Sequence, residues 1–294
     1  MRIYLTGADG LLGTALTEAL RTHPTTSRWV LHGVSRHDFD IANEAAVTRS
    51  VNGFAPDIVV HAAANAVVDD CETAPAEALR VNIAGTRNMA RVCRRVGAKL
   101  VYISSDYVFD GGDTPPGGYR EDDLPNPLSV YGLTKLAGER IAGAVPDHLI
   151  IRTSWLFGGS DERVDIVLGT LRRAQLGERT TLIADQYSRP TYLPDLAAAM
   201  VFLLSRPEPV TGVLHVCGAG SASWHTVLTY ALASAPGRLL EPVALDAFPF
   251  VGRRPRDSTL NTDRLRGLGW EMPHWQDGIR RFRRQLAGSE VAVP

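Results

Sequence analysis

Tyr131 and Lys135 stand four residues apart in the segment VYGLTKLAGE. On a helix that spacing places both side chains on one face, one turn apart. An ammonium there favours the ionised form of a neighbouring phenol, lowering its pKa from about 10 so that it can exchange a proton with a bound molecule. Of the 31 basic side chains only Lys99 and Lys135 are lysines. With 8 tyrosines in the chain, chance supplies about 0.05 such tyrosine-lysine pairs. Arginine would be bulkier and a poorer fit where one compact cation must serve both the phenol and a ligand hydroxyl.

A second constellation lies at the N-terminus. YLTGADGLLGTAL carries Gly7, Gly10 and Gly13, with Leu11 and Leu12 between the last two, between an apolar run and an amphipathic one. Glycine at those positions lets a tight turn bring backbone N–H groups, at the positive end of a helix, against a pyrophosphate. With 27 glycines the pattern recurs by chance about 0.2 times per chain, so its place straight after the first strand is what gives it weight. The second apolar run ends GVSRHDFD. Ser35 and Arg36 occupy the place where a ribose-binding acid would sit, and a hydroxyl with a guanidinium suits a 2'-phosphate, so NADPH is expected over NADH. Asp38 or Asp40 would be that acid if the strand ended later, leaving NADH possible. Asp40 and Ile41 are expected beside the adenine. A third catalytic member is expected from SSDYVFDG: Ser104 and Ser105 close the fourth strand, at the edge where open α/β sheets bind ligands, and Ser105 lies just past it.

These residues need a scaffold, and the rest of the first half supplies one. Residues 2–6, 29–34, 57–63, 99–104 and 148–153 read as strands, and 11–22, 43–53, 75–96 and 130–144 carry helical periodicity. Near-continuous apolar strands separated by helices imply an α/β fold, a Rossmann-like doubly wound parallel sheet. The expected division is a dinucleotide-binding domain over 1–160, with returning elements near 180–218, and a mainly substrate-binding lobe over 161–294. Helices are expected near 163–176 and 194–205 and a strand at 212–218, followed beyond 235 by proline-rich irregular chain. The net charge is −1, which argues against a nucleic-acid polymer or an anionic membrane as partner. The basic RRFRRQ at 280–285 reads as the solvated face of a last helix. No apolar stretch is long enough to span a bilayer and no signal peptide is visible, so a cytoplasmic location is expected. Cys71, Cys93 and Cys217 show no CxxC spacing, which argues against disulfides and zinc.

The glycine array, the alanine run of HAAANAVVD, SSDYVFDG and the YxxxK pair together resemble the extended short-chain dehydrogenase/reductases. More narrowly, SSDYVFDG, VYGLTKLAGE, IRTSWLFG, DQYSRPT and RRPRDSTLNTDRL are similar to segments of the dTDP-4-dehydrorhamnose reductases and related nucleotide-sugar 4-ketoreductases. The resemblance runs from residue 1 to about 285. It implies that NADPH reduces the C4 ketone of a dTDP-linked 4-keto-6-deoxyhexose while Tyr131 supplies the proton, Ser105 orients the ketone, and Lys135 tunes Tyr131 and holds the nicotinamide ribose. Ala62, Ala63, Ala64 and Ser104 would line the cofactor. Val68, Asp106, Tyr107 and Trp155 would face the sugar, with Arg253 and Arg254 near the diphosphate. Ala15 replaces a glutamate that helps a magnesium ion bridge subunits in well-known bacterial members, so no metal is expected and the chain is expected as monomer or homodimer. Asn65 and Ala66 replace a histidine and a threonine near the sugar. A Thr-Asp-Glu arrangement for dehydration is missing, since this chain reads Ser105, Asp106, Tyr107. A nucleotide-sugar epimerase and a non-catalytic subunit resembling the methionine adenosyltransferase beta subunit stay open as alternatives.

Overall fold

In a computed structural model that describes residues 1–232 and 239–288, the β-branched runs become strands β1 (Arg2–Thr6), β2 (Val30–Val34), β3 (Ile58–His61), β4 (Lys99–Ser105) and β5 (His148–Thr153). They pair in parallel in the order β2-β1-β3-β4-β5, and a returning strand, Gly212–His215, adds to the free edge of β5. Every residue of β4 is buried, as its unbroken apolar run requires of a central strand covered on both faces. The chain moves one way from β1 to β2 and then crosses to β3 on the other side. The crevice between the carboxyl ends of β1 and β3 is therefore the topological switch point, where such sheets bind ligands.

Along β1 the faces alternate with the pleat. Ile3 and Leu5 pack with the Leu11–Thr22 and Leu193–Ser205 helices, while Tyr4 packs with Glu44–Phe54, Thr86–Val96 and Val130–Ala142. The helix expected over 75–96 is present without a break, but its hydrogen-bond pattern changes along the way. A π-helical stretch, Leu79–Gly85, separates Pro75–Ala78 from Thr86–Val96, and its wider turn places Asn82 in the interior.

In the last third the helices expected near 163–176 and around 280–285 are present, as Ile166–Gln175 and Trp275–Gly288, and a helix not expected, Trp224–Ala231, joins them. Helices Ile166–Gln175, Trp224–Ala231 and Trp275–Gly288 enclose a separate core of Phe157, Tyr192, Leu228, Ile279 and Phe282. Thr180–Ile183 pairs in parallel with Leu240–Val243, where Pro242 is tolerated because each member of a two-stranded pair is an edge. The basic run is only partly a solvated face: Arg281 turns inward to Asp195 at 2.7 and 2.5 Å and to Asp277 at 2.7 Å, docking the last helix onto Leu193–Ser205. No helix among the described residues is long and apolar enough to cross a membrane.

One buried ion pair locks the Val130–Ala142 helix to the sheet. Glu139 receives Arg152 Nε and Nη2, each at 2.8 Å, and the Ser104 hydroxyl at 2.6 Å. Both charged side chains are almost fully buried. Behind them, burial first and the Arg152 charge second push His215 down to about 3. It is thus neutral, donating from Nδ1 to the Asn261 carbonyl and accepting from Arg152 at Nε2. Glu139→Gln leaves Arg152 buried without its counter-charge, and urea unfolding should show a loss of about 3–5 kcal/mol.

Candidate active site

Ser129 caps the Val130–Ala142 helix by accepting the Gly132 N–H at 3.1 Å, and from that start Tyr131, Lys135 and Glu139 fall on one stripe. Lys135 is 4% exposed, yet it has no hydrogen-bond or ion-pair partner among the described residues. Its Nζ lies 4.4 Å from the centroid of the Tyr102 ring. That approach requires Gly138, because a Cβ there would overlap the Tyr102 hydroxyl. A desolvated cation over a ring gains about 2 kcal/mol, less than the several kcal/mol that burying an ammonium costs. The imbalance appears in its acidity: burial pushes Lys135 down to about 8, against the opposing charge of Glu139.

Tyr131 responds in the direction opposite to the sequence expectation. Burial raises its phenol pKa, Ser105 opposes this by hydrogen bonding, and the Asp106 charge adds to the rise. Without a ligand the desolvation of the phenol outweighs any help from the lysine, so the proton stays on Tyr131. That is the state a proton donor needs. Ser105 ends β4, caps the short turn Asp106–Val108, accepts the Tyr107 N–H at 3.2 Å and donates to Asp106 Oδ1 at 3.0 Å. The Tyr107 ring meets Tyr131 edge-on at 6.0 Å. The three expected catalytic side chains are therefore brought together, and the chemistry open to them is protonation of an oxygen held between Ser105 and Tyr131.

The glycine turn sits at the mouth of the crevice. Gly7 has φ +69°, a left-handed conformation natural to glycine. A Cβ on Gly13 would strike the Gly7 carbonyl. Gly10 caps the Leu11–Thr22 helix without a side chain and no acidic residue lies in the first turn, so the N–H groups around Leu11 and Leu12 are open to an anion. Across the crevice, a relay shapes the Ala62–Ala64 segment. Thr6 Oγ accepts the Ala63 N–H at 3.2 Å and bonds His61 Nδ1 at 2.8 Å; His61 Nε2 bonds Thr86 Oγ at 3.1 Å, and Thr86 donates to the Asn82 carbonyl at 2.6 Å. Burial and the Lys135 charge push His61 down to about 3, so the ring is neutral and donates only to Thr86. Asn82 then brackets Asn65, accepting its N–H at 2.7 Å and donating to its carbonyl at 2.9 Å.

Other expected residues are placed less simply. The Ser35 N–H and hydroxyl both bind Asp38, at 2.8 and 3.1 Å, and those bonds hold the Asp38 carboxyl below the usual carboxylate range. Arg36 is exposed with no partner among the described residues, which leaves it the cation available to a 2'-phosphate. Asp40 pairs with Arg80, and Ile41 is buried against Gly85 with its carbonyl held by Asn88. The Ser104 hydroxyl is committed to Glu139 and turns away from the crevice. Asp106 was expected to face a sugar but is 1% exposed, with its oxygens bonded by Ser105, Ser188 and Ser258. Val68 opens the Val68–Thr73 helix and is half-buried. Trp155 adopts φ +46°, rare for a bulky residue, and stacks on Trp224 at 4.6 Å and 7°. Arg254 is bound to Asp69 at 2.9 Å and lies over Phe250, whereas Arg253 is exposed.

Sequence reasoning passed over Tyr102, Asn82, Glu139 and Trp224. Glu139 was within reach, since it continues the Tyr131–Lys135 stripe by one more turn. Tyr102 and Trp224 carry no local signal, because their partners are distant in the chain.

A parallel sheet with a glycine turn at its switch point, joined to a Ser-Tyr-Lys group at the end of β4, defines an oxidoreductase of the extended short-chain dehydrogenase/reductase class. The chain belongs to the family described as RmlD substrate binding domain, which matches residues 1–287. It is 34% identical over 294 residues to the dTDP-4-dehydrorhamnose reductase of Sinorhizobium fredii, covering 96% of each chain. It is 35% identical over 286 residues to the dTDP-4-keto-6-deoxy-D-glucose reductase of Streptomyces niveus, covering 95% of each. A crystal structure of dTDP-4-dehydrorhamnose reductase from Bacillus anthracis in complex with NADP superposes with a TM-score of 0.87 at 34% identity, over 97% of this chain and 99% of that one. Among the described residues no cluster of His, Cys, Asp or Glu is arranged to hold a metal ion.

The glycine cradle and the unpartnered ammonium both fit a dinucleotide. If Lys135 donates to its ribose, affinity depends on the charged form, which prevails below about pH 8 and is lost above it. Titrating NADPH into the protein by fluorescence should give a flat dissociation constant up to about pH 8 and a rise of up to about tenfold per unit beyond. Lys135→Met should bind weakly at every pH without that break.

Proposed function

We propose that this protein reduces the C4 ketone of a dTDP-linked 4-keto-6-deoxyhexose, with NADPH preferred over NADH. The observation that carries the reading is the close grouping of Ser105, a protonated Tyr131 and an ammonium that has no partner of its own. NADPH, when bound, supplies a hydride. Everything else falls to side chains and backbone of this chain. The Gly7–Gly13 turn and the N-terminus of the Leu11–Thr22 helix receive the pyrophosphate, and Arg36 meets the 2'-phosphate. Lys135 donates to the ribose hydroxyls and orients that end of the molecule. Ser105 fixes the ketone oxygen, and Tyr131 delivers its proton there as C4 accepts hydride, so carbon and oxygen together gain one H₂ equivalent.

Several features support the sugar nucleotide as substrate. The named relatives act, by their names, on dTDP-4-keto sugars. Arg253 is exposed and uncommitted beside Arg254, where a diphosphate would meet a cation. The Trp155–Trp224 slab offers a flat apolar face to a deoxysugar ring. Asn65 and Ala66 stand where the resemblance implies a histidine and a threonine near the sugar, so the epimer reduced is best found with a panel of dTDP-4-keto-6-deoxy sugars differing at C3 and C5.

Removing only the phenol oxygen tests the assignment. Tyr131→Phe should lower ketosugar-dependent NADPH oxidation by about 10²–10⁴-fold while the NADPH dissociation constant stays within twofold. Near-normal turnover would refute the role given to Tyr131.

A further inference from the structure

Asp106 is a carboxylate with almost no exposed surface and, among the described residues, no ion-pair partner. Beside its own backbone N–H, its charge is satisfied by hydroxyls: Ser105 donates to Oδ1 at 3.0 Å, and Ser188 and Ser258 donate to Oδ2 at 2.8 and 2.5 Å. Ser188 and Ser258 are themselves fully buried. They come from segments 82 and 152 residues away in the chain. Those segments are knit to each other before they reach Asp106. Ser188 and Ala222 exchange backbone hydrogen bonds, Tyr187 donates to the Arg256 carbonyl at 2.7 Å, and Ser258 donates to the Tyr187 carbonyl at 3.0 Å. Gln186, in the same strip, donates to the Pro255 carbonyl at 3.0 Å.

A hydroxyl rotor has one proton to give. That proton lies on Asp106 Oδ1, while the hydrogen bond by which Ser105 lowers the Tyr131 pKa draws the same proton toward the phenol oxygen. Each hydroxyl on Oδ2 withdraws charge from the carboxylate and so weakens its hold on that proton. A carboxylate stripped of those donors would be a buried charge with a single partner, and would keep the Ser105 hydroxyl for itself. Burial pushes Asp106 up to about 6 even with the three donors in place, a sign of how much the arrangement has to offset.

We propose that Asp106 is a positioning residue through which Ser188 and Ser258 of the C-terminal segments set the orientation and availability of the catalytic Ser105 hydroxyl. The catalytic geometry is then complete only when those segments are docked on β4. The inference rests on the ketoreductase reading of this site. It differs from an Asp106 that touches the sugar, because the carboxylate has no free face to offer.

The test uses Ser188→Ala, Ser258→Ala, their double variant, Asp106→Asn and Asp106→Ala, each checked for its thermal midpoint and NADPH affinity. Wild-type turnover of the ketosugar panel is measured first; no turnover there refutes the functional reading itself and, with it, the role given to Asp106. Given turnover, the folded double variant should lose at least tenfold in kcat, with KM and the NADPH dissociation constant each within about twofold. Asp106→Asn, which keeps an acceptor for Ser105, should retain more kcat than Asp106→Ala. A folded double variant with wild-type kcat would overturn the proposal. So would losses in kcat and NADPH affinity that move in proportion, since those mark a general loosening of the fold. If the double variant does not fold, the single serine variants carry the same comparison, and wild-type kcat in both would overturn the proposal.

Discussion

The structure around the crevice is organised by one desolvated charge. Lys135 brings an ammonium into an interior where it meets the face of Tyr102 and the distant field of Glu139, but no hydrogen-bond acceptor among the described residues. A buried cation in that condition is tolerated only if the fold around it is stable for other reasons and if a ligand supplies the missing acceptors. Both conditions leave traces. The bidentate Glu139–Arg152 pair fixes the helix carrying the lysine, and the glycine turn packs tightly, with no side chains at its Gly7, Gly10 and Gly13 positions.

The same charge orders its neighbours. His61, close enough to feel it, is held neutral and becomes a directional link in the relay from Thr6 to Asn82. Asn82 in turn holds Asn65 and donates to Thr134, one residue before the lysine. The π-helical stretch that carries Asn82 thus connects the alanine segment after β3 to the catalytic helix. On the other flank, Tyr131 keeps its proton because it too is desolvated. Acid and ammonium are prepared by one property of the site, the exclusion of water, acting on groups of opposite charge preference.

How much of this was legible before the structure depends on the range of the interactions involved. β1, β5 and the Leu11–Thr22 helix fall at the boundaries expected, because periodicity and the glycine punctuation are local signals. The 75–96 helix is where it was expected, and only its π-helical stretch went unread, since the extra residue of a π turn leaves the apolar pattern nearly intact. The helix Trp224–Ala231 went unread, because eight residues carry too little periodicity to stand out. At the site, the grouping of Ser105, Tyr131 and Lys135 is legible from type and spacing, and the roles given to them are the proposal. Asp106 was misplaced because only Ser188 and Ser258, far away in the chain, reveal that its carboxylate is used up. The sign of the Tyr131 shift failed for a related reason: spacing shows a neighbour's charge but not the depth of burial.

If the buried ammonium is the organising element, its size and donor geometry matter as much as its charge. Lys135→Arg keeps the charge and lengthens the head into a planar fork that the space over Tyr102 does not match. Isothermal titration of NADPH into this variant, paired with ketosugar turnover, measures the point directly. Affinity and turnover should each fall by at least tenfold in a protein that unfolds at the wild-type temperature. Wild-type affinity with wild-type turnover would contradict the role assigned to the lysine and to the water-excluded pocket built around it.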